Sequence, residues 1–173
     1  DTGYYFHNAP IHWVRAFNFI PFFRSERDGE MISSHYKSFS GFSPKKSKAL
    51  LAILNSSMFY FWFVINSNAR DLSVREIYNF GLNLNNEDLT DELSEISSKL
   101  MIHYKKISKI IDVVYKSSGN VQYQQIDTKK AKFIIDQIDR TLGKSLGLTE
   151  EEIDYIINYD IKFRMGKSID EEI

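Results

Sequence analysis

The sequence predicts an α+β protein: a small strand-rich unit packed on a buried helix, followed by a mainly α-helical C-terminal half with a long helical hairpin. Three observations predict it. Short aromatic and β-branched runs broken by turn residues fill 4–40, an almost unbroken apolar run follows at 49–65, and from residue 87 the apolar positions recur at helical spacing. The chain divides accordingly into a strand-rich unit with its buried helix, residues 1–80, and the helical hairpin with a C-terminal helix, residues 81–173.

In the first part, the runs Tyr4–His7, Ile11–Phe17 and Phe19–Phe23 are punctuated by Asn8-Ala9-Pro10, Pro21 and Asp28-Gly29, which suits short strands joined by turns. Asp28 and Gly29 form the expected tip of a hairpin. The run ALLAILNSSMFYFWFVI is interrupted only by Asn55, Ser56 and Ser57 and is apolar on every side, so it reads as a core helix over 45–66. A membrane span needs about 20 apolar residues, and a central Asn-Ser-Ser does not suit one. Pro44 fits an early helical position. Lys45, Lys46 and Lys48 crowd the first turn, where the helix dipole disfavours cations unless another partner takes them.

Further on, Leu89, Leu93, Ile96, Leu100, His103, Ile107, Ile110 and Val114 step by four and three, which predicts one helix over 87–116. Asn85 or Asn86 caps it, and Ser117-Ser118-Gly119-Asn120 stops it. A second helix from about Asp127 to Lys144 carries Ala131, Ile135, Ile138 and Leu142 on one face, and the two are expected to pack as an antiparallel hairpin. Thr149 and Glu152 make a capping box that opens a short helix running to about Asn158, and 167–173 reads as a frayed end.

The 173 residues include no cysteine, which excludes a disulfide framework and a thiolate nucleophile and permits a reducing compartment such as the cytoplasm. With Asp1 first and no leader-like stretch, the chain is expected to be part of a longer polypeptide. A net charge of −1 conceals an asymmetry: residues 1–80 hold 9 Lys/Arg against 6 Asp/Glu and 18 of the 25 aromatic residues, whereas 81–173 hold 13 against 17. An anion-binding face is therefore expected in the first part.

Motifs for chemistry are missing. No Gly-x-Ser-x-Gly turn and no Gly-rich phosphate loop occurs, and no Cys or carboxylate cluster accompanies His7 and His12. Consecutive acids at 150–152 and 170–172 are explained by the helix dipole and solvation. His103, on the apolar seam, reads as a structural residue that hydrogen-bonds across it. What remains is a basic, polar and aromatic set: Arg15, Ser34, His35, Lys37, Lys45, Lys46, Asn68, Arg70 and Arg75. Lys and Arg neutralise phosphates, Arg and Asn pair with guanine and adenine edges, and Ser or His adds shorter contacts.

Three stretches carry a family resemblance. LLAILNSSMFYFWFVI (50–65) resembles the leucine-rich helix, Asn-Ser-Ser and aromatic cluster near the end of adenine-specific DNA methyltransferases of the type IIG restriction-modification group, and more faintly that of type I specificity subunits. YYFHNAPIHWVRAF (4–17) and SSHYKSF (33–39) resemble the strands that precede that helix, and GLTEEEIDYIINYDIKFRMG (147–166) is similar to the ending of many members. The resemblance implies a target-recognition region that grips double-stranded DNA beside an upstream methyltransferase domain of the same polypeptide, which flips the adenine. Asn-Pro-Pro-Tyr/Phe, a Gly-rich S-adenosylmethionine loop and a nuclease cluster are missing, so this portion is expected to be non-catalytic alone and to hold no cofactor or metal. S-adenosylmethionine, with Mg for any nuclease, is expected upstream. One departure is plain: where relatives often have a Gly-rich turn after the aromatic helix, this chain has Asn66-Ser67-Asn68-Ala69-Arg70. The rival reading is a protein-interaction module that docks through the helical hairpin.

Overall fold

A computed structural model of the chain describes residues 3–81, 84–116 and 119–166. It has an α+β architecture with two small antiparallel sheets. The first sheet has the order β2-β1-β5, formed by β1 (Tyr4–His7), β2 (Ala16–Phe17) and β5 (Tyr36–Phe39). The Asp28-Gly29 hairpin joins β3 (Phe23–Ser25) to β4 (Gly29–Glu30): Ser25 Oγ accepts from Asp28 N–H at 2.9 Å, and Gly29 takes φ 74°, which a residue with a Cβ rarely adopts.

The apolar run forms two helices, not one. α1 (Pro44–Asn55) and α2 (Ser57–Asn66) meet at Ser56 with a bend of 69°. Ser56 is extended (φ −74°, ψ 155°), and its hydroxyl donates to Ile53 O at 2.6 Å and accepts from Phe59 N–H at 2.9 Å. It thereby caps both helices, which is why a polar residue sits inside an apolar segment. Among the described residues no single helix is long and apolar enough to cross a membrane, and α1 is buried from Ala49 to Asn55. Pro44 stands at the start of α1 behind the Ser43 cap, as expected.

The long helix is also shorter than its periodicity suggested. After α3 (Val74–Asn79), α4 (Glu87–Ile107) is capped by Asn86, whose side chain accepts from Leu89 N–H, and ends at Ser108. The chain then forms a β-hairpin, β6 (Lys109–Tyr115) and β7 (Gly119–Gln125). Ile110, Ile111, Val113 and Val114 are β-branched and favour the pleated surface, so Ile110 and Val114, which fitted the helical register, belong to a strand. β7 pairs with β3, giving a second sheet of order β4-β3-β7-β6 that joins residues on both sides of the expected boundary at 80. A short 3₁₀ turn (Thr128–Ala131) leads into α5 (Lys132–Ser145), followed by α6 (Glu150–Ile157) with the expected Thr149/Glu152 capping box and α7 (Ile161–Met165).

α4 and α5 do pack antiparallel: His103 near the end of α4 meets Lys130, while Glu92 near its start meets Thr141. α1 lies against α4, and one continuous core includes Phe6 and Phe17 of the first sheet, Leu51, Ile53 and Leu54 of α1, and Ile135 and Leu142 of α5. At the His103 step of α4 it is Tyr104 that enters the core, fully buried beyond Leu93 and Leu100, and His103 lies half-buried on the flank. The straight helix drifts relative to a strict seven-residue repeat, which brings the next residue inward. His103 Nε2 lies 3.1 Å from Lys130 O, and its ring meets Phe133 edge-on at 5.1 Å. His103→Leu is expected to keep the fold at a cost of about 1 kcal/mol, because one marginal hydrogen bond is lost and no buried group is orphaned. Urea denaturation checks this, and a loss several times larger would make His103 a core determinant.

Candidate nucleic-acid interface

The first sheet is where the basic and aromatic residues of the N-terminal part meet. His7 ends β1; across the sheet it pairs with Tyr36 of β5 and donates its N–H to Arg15 O at 2.9 Å, just before β2. Residues opposite one another in an antiparallel sheet project to the same face. Arg15, His7 and Tyr36 thus form one rung, and all three line a cleft of about 350 Å³ whose other wall is the second sheet, with Phe23 of β3 and Tyr123, Gln124 and Gln125 of β7.

Local contacts fix the chemistry of this rung. The His7 ring stacks on His35 with centroids 5.4 Å apart and meets Tyr36 edge-on. Ala9 N–H donates to His7 Nδ1 at 3.3 Å, which leaves the ring proton on Nε2. Burial, then the nearby Arg15 charge and His35, push the His7 pKa down to about 4, so at neutral pH the ring is an uncharged hydrogen-bonding group. The cation of the rung is Arg15, whose guanidinium makes no hydrogen bond or ion pair among the described residues.

Asn8 then joins two loops. Its N–H donates to His35 O and its carbonyl accepts from Leu72 N–H, both at 2.8 Å, which holds the 33–36 turn beside the loop after α2. In that loop Asn68 Oδ1 accepts from the N–H groups of Arg70 (2.9 Å) and Asp71 (3.0 Å), so its oxygen is spent on the turn and its amide NH₂ remains. Arg70 is exposed, with Asp71 3.9 Å away. Ser34 and Lys37 are exposed on the same turn and on edge strand β5. Arg15, Ser34, His35, Asn68 and Arg70 are brought together by these contacts, whereas Lys37, which pairs with Phe6, projects from the other face of β5.

Arg75 is more constrained. At the start of α3 it donates to Glu76 Oε1 through Nε (3.1 Å) and Nη2 (2.9 Å), and the Glu76 carboxyl is held down to about 2, first by the Ser73 hydroxyl and then by Arg75. Lys45 and Lys46 lie elsewhere. Lys45 Nζ is 2.5 Å from Asp91 and 3.2 Å from Glu87, and Lys46 Nζ donates to Asn85 at 2.8 Å. The N-terminal end of α4 supplies these partners: Glu87 and Asp91 for Lys45, and Asn85, just before the helix, for Lys46. These lysines sit beyond the Tyr4–Phe39 end of the sheet, whereas His7 pairs with Tyr36 at the other end.

Sequence reasoning missed the second wall. Tyr123, Gln124 and Gln125 fall in a stretch assigned to a helix stop and the following connection; two β-branched pairs before a Ser-Ser-Gly turn and an alternating NVQYQQ after it were the available signal. Among the described residues no group of three His, Cys, Asp or Glu side chains could hold a metal ion. No family model, curated protein or solved structure matches the chain.

Proposed function

We propose that the chain is the target-recognition portion of a larger restriction-modification protein, holding double-stranded DNA beside an adenine-specific methyltransferase domain and doing no chemistry alone. The observation that carries this reading is the rung of Arg15, His7 and Tyr36, whose guanidinium has no ion-pair partner among the described residues, set next to the exposed Ser34, His35 and Arg70. Arg15 and Arg70 supply phosphate or guanine contacts, and His35, Ser34 and the Asn68 amide supply hydrogen-bond donors at base edges. Arg75, Lys45 and Lys46 already have protein partners and rank below them. S-adenosylmethionine, and Mg for any nuclease, belong to the upstream domains, and the cytoplasm, where DNA is reached, is the expected compartment.

The test is fluorescence anisotropy of the chain with a mixed-sequence duplex over a salt series. Saturable binding is expected, with an affinity that falls steeply as salt rises. Arg15→Ala should weaken it by about 1–3 kcal/mol and reduce the salt slope by about one. The Lys45→Ala/Lys46→Ala double variant should change both much less. Absence of any duplex binding at low salt would overturn the reading.

A further inference from the structure

A second cleft, of about 550 Å³, opens next to the first, and Arg15 and Gln125 line both. The two form one groove that runs from the His7–Tyr36 rung, past Arg15, to the 3₁₀ turn after β7 and to α7. Its far section has a different character from the DNA face described above. Lys129 joins Arg15 as a second cation without an ion-pair partner among the described residues, and the one carboxylate, Asp127, lies 3.9 Å from Lys130. The walls are apolar or aromatic: Ile11, Trp13, Phe163 and Met165. Trp13 N–H donates to Ile11 O at 2.7 Å, a tight turn in which His12 takes φ 59°. The turn places the His12 ring parallel to Phe163, centroids 6.4 Å apart, and leaves Ile11 72% and Phe163 64% exposed.

Duplex phosphates have no use for exposed apolar rings in a recess, because the bases they belong to are stacked on one another. Bases of an unpaired strand do: they stack on aromatic side chains while cations track the backbone. The volume is in the range that encloses a small organic ligand. Arg164, which also lines the recess, is not available as a phosphate ligand, since its guanidinium lies over Trp13 at 4.0 Å and donates to protein oxygens. We propose that this groove holds a short unpaired stretch of DNA, with phosphates at Arg15 and Lys129 and a base against the Phe163 ring. The proposal rests on DNA being the ligand, as above, and adds a site for a strand that has left the duplex.

Anisotropy with an oligothymidylate of about a dozen nucleotides, run in parallel with the duplex, separates the two readings. Binding of the oligothymidylate is expected, with quenching of Trp13 in a Trp62→Phe variant that leaves Trp13 as the sole indole. Phe163→Ala should weaken it about tenfold and Lys129→Gln about threefold, and neither exposed residue is needed for folding. Duplex binding without oligothymidylate binding, or oligothymidylate binding indifferent to Phe163→Ala and silent at Trp13, overturns the groove and leaves the duplex reading standing. Oligothymidylate binding without duplex binding does the reverse, and binding of neither overturns both.

Discussion

Arg164→Gln is expected to destabilise the fold by about 3–5 kcal/mol, the cost of removing one member of a buried charged network. Arg164 is 3% exposed although it lies in the last helix. Its Nε donates to His12 O at 3.1 Å, Nη1 to Ile157 O and Tyr159 O at 3.3 and 3.4 Å, and Nη2 to Ser57 Oγ at 2.9 Å. Trp13 Nε1–H returns a bond to Arg164 O at 2.9 Å. One guanidinium therefore fastens α7 to the loop before β2, to the start of α2 and to the end of α6. Its charge also matters to Asp139, a buried carboxyl that accepts from Met58 N–H at 3.0 Å and whose Oδ2 has no hydrogen-bond partner among the described residues. Burial raises the Asp139 pKa to about 6, against which Met58, Ser57 and Arg164 pull it down.

The sign of the pH effect follows from that shift. A carboxyl whose folded pKa lies above its ordinary 3.8 binds more protons when folded, so its ionisation costs stability as pH rises through about 6, and the cost disappears as pH falls towards 3.8. Without Arg164 the ionised Asp139 loses an opposing charge. The deficit of Arg164→Gln against wild type should be largest near pH 8 and shrink towards pH 5, and in an Asp139→Asn background this pH dependence should vanish. Urea denaturation at several pH values measures it; a deficit that is constant with pH would remove Asp139 from the account, and a deficit under about 1 kcal/mol would remove the network.

How much of this was legible in the sequence depends on the range of the interactions. Local signals were readable: the Thr149/Glu152 capping box, Pro44 at the start of α1 and the Asp28-Gly29 tip each concern residues within a turn of one another. The α1–α2 bend was half visible, since Asn55, Ser56 and Ser57 marked the place but an unbroken apolar run concealed the change of direction. The β6–β7 hairpin was lost because Ile110 and Val114 happen to continue the spacing of α4, and β-branching, the competing signal, was outweighed. Burial decided between them: Ile110 and Val114 are exposed, which a helical seam would not allow.

The candidate site was legible by residue type and not by arrangement. Arg15, His35 and Arg70 were named from chemistry, but their adjacency depends on Asn8 linking His35 to Leu72 across 37 positions of sequence, a backbone contact with no side-chain signature. Lys45 and Lys46 look the same in sequence as free cations; only the arrival of the α4 N-terminus beside α1 engages them. Lys129 and Phe163 reach the groove through the β6–β7 excursion and the Arg164 clasp, so no pattern within one segment could announce them.

Asn55→Leu is the second substitution with a large expected effect, about 3 kcal/mol, and it links the fold to the interface. Asn55 is 1% exposed at the end of α1. Its Nδ2 donates to Leu51 O at 2.8 Å and to Ala16 O at 2.9 Å, while Oδ1 accepts from Ala16 N–H at 3.3 Å and from the Tyr104 hydroxyl at 3.1 Å. Ala16 belongs to β2, a two-residue edge strand whose outer N–H and carbonyl have this amide in place of a further strand. Leucine fills the volume but leaves the Ala16 groups unpaired in an apolar interior and takes an acceptor from Tyr104, and each buried orphan costs about 1–3 kcal/mol. In a Tyr104→Phe background one of those orphans is already gone, so Asn55→Leu should cost about 1 kcal/mol less there than in the wild type, which a double-mutant cycle by urea denaturation measures. Because Arg15 directly precedes Ala16, a loosened β2 also releases the guanidinium from its rung, and duplex affinity at a temperature where the variant is still folded should fall with it. An unchanged affinity together with the loss of stability would mean that His7 N–H alone is enough to hold Arg15 in place.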